Sequence, residues 1–236
     1  MKRTALSLLS LVLLVSCALP GSLAGLLEQL KPQPPVEEPT DLMNLVANGS
    51  VQIISVRGNQ GVTSLSGRTI DLQLLNNTGS SLEVVIPCGV MFLPTQDGAS
   101  RMVTVQSHSI IMDVDEVKTV MPFVLSIDAL KGLPTEEKTY SVEMLTTGKQ
   151  LEFAECLCQK DLPAETETRD LVSLQLAAWM IADNSPLTGF SDELNDWLHG
   201  VTGIPFNIPG LDDAFQNLAE SLAPEAQAWL DKCGIK

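Results

Sequence analysis

Chemistry needs side chains that can give up a proton, hold a metal or attack a carbonyl, and in this chain of 236 residues they are few and scattered. The histidines are His108 and His199. Neither has a His, Cys or Asp partner at helical or hairpin spacing, so no zinc or copper site is assigned. Ser107 precedes His108, but a nucleophile and its base must meet in space beside an orienting acid, which adjacency does not achieve. The glycines between 58 and 67 lack the GK[ST] ending of a phosphate loop, and no GxGxxG follows a strand. Asp113-Val114-Asp115-Glu116 and Leu211-Asp212-Asp213 are acidic, yet neither has the spaced ligands and terminal Glu of a calcium loop. No catalytic residue, metal or cofactor is assigned from these patterns.

The five cysteines, Cys17, Cys88, Cys156, Cys158 and Cys233, say more. Cys17 follows Lys2, Arg3 and an apolar run from Leu8 to Val15 broken only by Ser10. That run is shorter than the roughly 20 residues a bilayer span requires, so residues 1–16 read as a signal peptide. Its end, Leu14-Val15-Ser16-Cys17, resembles the lipobox of bacterial lipoproteins. The resemblance implies a diacylglycerol on the Cys17 sulfur, cleavage before Cys17 and a fatty acyl chain such as palmitate on the freed amine. Two or more chains make a stable anchor where one is marginal. Ala18 stands where enteric lipoproteins retained at the inner membrane carry aspartate, so the outer membrane is the expected home in a host with two. The alternative is an ordinary secretory signal cut after Ala18 or Ala24, in which Cys17 is incidental.

With Cys17 used by lipid, Cys88, Cys156, Cys158 and Cys233 remain, and an even count in an exported chain favours two disulfides. Cys156 and Cys158 stand too close to pair comfortably with each other. Of the three pairings, we expect Cys88 joined to one of them and Cys233 to the other, each bridge contributing roughly 2–4 kcal/mol. A C-x-C redox or metal site is the alternative.

Gln175-Leu176-Ala177-Ala178-Trp179 resembles the end of the TQxAxW segment of bacterial thioester domains. In that family a glutamine is condensed with a cysteine into a reactive thioester, which implies Gln175 as the acyl donor and a covalent adhesin as the function. Leu174 occupies the family's threonine position. The family's upstream cysteine would fall near Leu125-Ser126-Ile127-Asp128, which holds none, so Cys88, Cys156 or Cys158 would have to serve.

Removing residues 1–16 takes away two bases and no acid, leaving 29 acidic against 12 basic residues. That balance opposes any grip on nucleic acid. Hydrophobic content of 44% excludes disorder throughout.

These groups would be carried by two kinds of element. Pro32, Pro34, Pro35 and Pro39 favour extended, semi-rigid chain, so residues 17–49 read as anchor and tether. From residue 50 to 158, β-type segments recur at 51–56, 70–75, 81–86, 102–106, 109–114, 118–125 and 140–145. Ile70, Leu72 and Leu74 alternate with Asp71 and Gln73, the period of a half-buried strand. The pattern predicts an antiparallel, immunoglobulin-like β-sandwich. Over 159–236 the period becomes helical, with Leu171, Leu174, Ala178 and Ile181 on one stripe. Further helices are expected over 191–200, from Leu211 to Leu222, and from Pro224 to Cys233, with Trp179, Trp197 and Trp229 as core. The expected class is α+β: a sandwich followed by a small helical domain.

The expected role is binding or scaffolding at a membrane reached through the lipid anchor, with an envelope protein or surface ligand as partner. The loops at 58–67, 94–100 and 131–138 are the candidate recognition surface, because loops on a rigid scaffold are where recognition usually sits. A thioester adhesin and an envelope enzyme with an unrecognised site are the alternatives.

Overall fold

The computed structural model describes residues 37–59, 67–128, 131–145, 147–160, 162, 168–183 and 210–236. It is a mixed α+β structure of mostly antiparallel sheets with helices. The strands are β1 (Glu37–Asp41), β2 (Val51–Gly58), β3 (Ile70–Asn76), β4 (Leu82–Ile86), β5 (Val90–Pro94), β6 (Met102–Thr104), β7 (His108–Met112), β8 (Val117–Val120), β9 (Val124–Ser126) and β10 (Tyr140–Met144). The helices with described side chains are α1 (Leu42–Ala47), α2 (Lys149–Cys158), α3 (Thr168–Asp183) and α4 (Leu211–Lys232). Strand orders are β1-β4-β7, β2-β3-β8 and β10-β5-β6-β9.

The Asn76–Ser80 turn joins β3 to β4, and the two strands enter different sheets. Asn76 explains the crossing. Its fully buried amide donates to the carbonyls of Ser80 and Asp113 at 2.9 Å each and to that of Met112 at 3.3 Å. The β3–β4 turn and the β7–β8 corner are thereby tied together at one end of the molecule.

One core lies between the inner faces of all three sheets. It takes Ile70, Leu72 and Leu74 from β3, Leu82, Val84 and Ile86 from β4, and Val90 and Phe92 from β5. Leu42 and Leu45 of α1 add to it. A second core covers the other face of the β5 sheet, where Met91, Val103 and Leu125 meet Phe153, Leu157, Leu171, Leu174, Leu222 and Leu230 from the helices. Strands buried on both faces read as unbroken apolar runs. Val90-Met91-Phe92 is such a run, which is why no alternation announced β5. Residues 50–158 and 159–236 share this second core, and 36–236 form one compact unit.

Four expectations need correction. Residues 37–49 are not tether: β1 pairs in parallel with β4, and Asp41 caps α1 by accepting from Met43 N at 2.8 Å. The β1 register is interrupted between Glu37 and Thr40, the segment holding Pro39, whose ring nitrogen cannot donate to a ladder. The single strand expected over 118–125 is divided into β8 and β9 in separate sheets, with Pro122 in the break. Residues 149–158, read as the end of the strand region, form helix α2.

The two helices expected on either side of Pro224 are one, α4. Its buried residues Leu222, Ala226 and Leu230 recur every four positions and pack on α3, while Pro224 lies on the exposed side. Trp179 is buried and Trp229 half-buried, donating through Nε1 to Ser173 Oγ. Trp197 and the helix expected over 191–200 lie outside the described residues.

Candidate functional site

The four described cysteines are all committed to structure. Cys88 is bonded to Cys158 and Cys156 to Cys233, with Cα separations of 6.1 and 5.7 Å. The helix separates the neighbours: residues two apart stand about 200° apart around the axis. Cys158 therefore reaches the turn between β4 and β5 while Cys156 reaches the C-terminus just beyond α4. No described cysteine is left as a thiol for metal binding, redox exchange or acyl transfer. Cys17 and His199 lie outside the described residues.

Gln175 is 2% exposed, in a stretch of α3 buried all round from Leu171 to Trp179. Its carboxamide pairs with the outer edge of β9: Oε1 accepts from Ser126 N at 2.9 Å and Nε2 donates to Ser126 O at 2.7 Å. Gln175 thus acts as one rung of a ladder, satisfying backbone groups that the end of the sheet would otherwise orphan. This corrects the thioester expectation. Gln175 does meet the Leu125–Asp128 segment, where that family's cysteine would fall, but a serine stands there. Cys88, Cys156 and Cys158 cannot substitute, because each is in a disulfide.

His108 is half-buried, and burial followed by the nearby Arg68 charge holds its pKa below the usual histidine value. Among the described residues no three His, Cys, Asp or Glu side chains are placed to share a metal ion. An apolar crevice between α2, α3 and the β5 sheet, lined by Val105, Ile127, Phe153, Ala178 and others, has no room even for a water molecule.

Gly58, at the start of the first candidate loop, comes together with the other two. Gly58 N donates to Lys138 O at 3.0 Å, and Arg57 bridges Thr139. Gly132 N donates to Gly98 O and Ser100 N to Gly132 O, at 3.0 and 2.9 Å. Lys138 Nζ reaches Asp97 O at 3.2 Å. The approach explains Gly58: a Cβ there would stand 2.3 Å from Thr135 O and 2.6 Å from the carbonyl carbon of Pro134. Residues 60–66 of the first loop lie outside the described residues.

Sequence reading missed the clamp beneath this cluster. Arg101 Nε donates to both Asp128 oxygens at 3.0 Å, and Arg101 N donates to Oδ2 at 2.8 Å. Burial alone would raise the Asp128 pKa, but these Arg101 hydrogen bonds and its charge outweigh burial and hold it below the usual aspartate value. Ser100 Oγ, donating to Lys131 O at 2.8 Å, ties the same corner. Arg101 and Asp128 lie 27 apart in sequence, with no spacing rule to join them.

The cluster sits at the end away from the chain's entry. Glu37 pairs with Leu82 and Leu82 with Met112, so the chain enters beside the β7–β8 corner. From that end β2 runs from Val51, beside Asn76, to Gly58, beside Ile70. Eight residues of strand place the loops about 25 Å away. What the cluster offers is a framed surface of exposed Thr95, Gln96, Asp97, Gly98, Lys131, Glu136 and Glu137, with both donors and acceptors. No protein-family model matches the chain, and no curated protein or solved structure is detectably similar to it.

Proposed function

We propose that this protein is a lipid-anchored component of a bacterial cell envelope with a binding or scaffolding role. Its membrane attachment is acylated Cys17, in the outer membrane where the host has two, and its recognition surface is the 58–67, 94–100 and 131–138 loop cluster. The observation that carries the reading is the polarity of the fold: the chain enters the folded unit at one end, and Gly58 meets the 94–100 and 131–138 loops at the other. A tether at the entry end then presents those loops away from the bilayer, toward an envelope protein or surface ligand. We read the β1 and β2 sheets, whose inner faces share a core, as the two faces of an immunoglobulin-like sandwich.

Supporting features are the lipobox-like Leu14–Cys17 segment, the acidic balance and the two disulfides, which suit an oxidising compartment. Among the described residues no helix is long and apolar enough to cross a membrane. The test is Cys17→Ser in the native host. Detergent-phase partitioning of the wild-type protein should give way to an unprocessed or aqueous-phase product, and unchanged partitioning contradicts the anchor.

A further inference from the structure

We propose that the outer edge of β7 is a strand-addition site for an extended segment of a protein partner carrying basic residues beside an apolar one. β7 is the last strand of the β1-β4-β7 sheet and pairs only with β4. Lys118 Nζ donates to the Ile111 carbonyl at 2.7 Å, so that carbonyl points out of the sheet. In an antiparallel ladder this direction repeats every second residue, so Ser109 presents its backbone on the same side. Among the described residues nothing supplies a backbone partner to either. A bare edge of this kind is a template for another strand.

The side chains agree with the backbone. Ile111, Val114 and Val117 are 54%, 44% and 53% exposed, three of the four large hydrophobic residues most open to solvent among those described. They fall within seven residues, on β7, the corner after it and the outer strand β8. Lys118 guards the edge, since a lysine at an edge discourages indiscriminate pairing. A partner N–H at the Ile111 carbonyl displaces its ammonium, and Glu116, already 3.7 Å from it, takes it up.

Charge decides the occupant. Glu83 lies across from Ile111, and Asp113, Asp115 and Glu116 follow Met112, while the described cations nearby are Lys118 and, at the His108 end of β7, Arg68. A second copy would bring the same acids face to face, and an anionic lipid surface would meet like charge. A segment with Lys or Arg beside a β-branched residue instead offsets the acids and covers Ile111.

Two synthetic peptides of about nine residues, the reach of one strand, test this on the full chain: one alternates Val with Lys, the other Val with Glu. The Lys peptide should slow hydrogen exchange at the Ser109 and Ile111 amides roughly tenfold or more, with salt weakening the effect. Ile111→Ser, which spares the backbone, should weaken its binding roughly tenfold without shifting the thermal midpoint. Equal protection by the Glu peptide, protection confined to another surface, or no protection at saturating peptide would overturn the proposal. So would self-association of the free chain that buries β7.

Discussion

Gln175 and Ser126 form the most consequential pair at the scale of single residues. The sequence singled out Gln175 in the Gln175–Trp179 segment and named the segment holding Ser126, but it could not tell a reactive amide from one spent on backbone groups. The contact settles that: both ends of the carboxamide are used on Ser126 N and O. Gln175→Leu should therefore cost about 2–4 kcal/mol, because it orphans two buried backbone groups. Calorimetry should show the midpoint falling by roughly 5–15 °C. Intact mass should be short of the reduced value only by the two hydrogens lost in each disulfide, without the further loss of ammonia that a thioester requires. Asp128 gives a pH signature with a definite sign. Its folded pKa lies below the ordinary 3.8, so its contribution is present above that value and is lost as pH falls through the lowered one. Asp128→Asn should lower the thermal midpoint at neutral pH, and the gap from wild type should close toward the acid end of a pH series.

Among the elements, patterns of period two and period 3.6 were legible wherever one face is wet, as in β3 and the second half of α4. They failed where both faces are covered, as in β5, and where a proline marks a division the pattern does not carry. Pro122 separates two sheets within one apolar run, whereas Pro224 leaves α4 continuous because Leu222, Ala226 and Leu230 hold the stripe across it. Pro224→Ala restores a donor on the exposed side and should raise stability by about 1–3 kcal/mol. A midpoint that falls instead would contradict this. The bridges act at this scale as well. They span 70 and 77 residues, so deleting either as a double serine variant should cost a similar amount, roughly 4 kcal/mol. The native protein should show no alkylatable thiol among Cys88, Cys156, Cys158 and Cys233 until it is reduced.

For the whole molecule, what matters is which end faces where. Charge in the sequence opposes a grip on nucleic acid, and turn residues mark the loops. Their convergence was hidden, because it depends on contacts such as Gly58 with Lys138 and Ala99 with Gly132 that no local pattern encodes. Gly58→Ala puts a methyl group into the Pro134–Thr135 backbone, so it should cost about 1–3 kcal/mol and loosen the cluster. Faster amide exchange at Lys138 and Gly132 than in wild type would register that loosening. The polarity has functional meaning only if the entry end is the anchored end, and the N-terminal peptide of the mature protein decides this most directly. Mass spectrometry of that peptide, taken from the native host's membranes, should find Cys17 as the first residue, carrying a diacylglyceryl group and an acyl chain. A mature chain beginning at Leu19 or Gly25, with no lipid attached, would contradict the account.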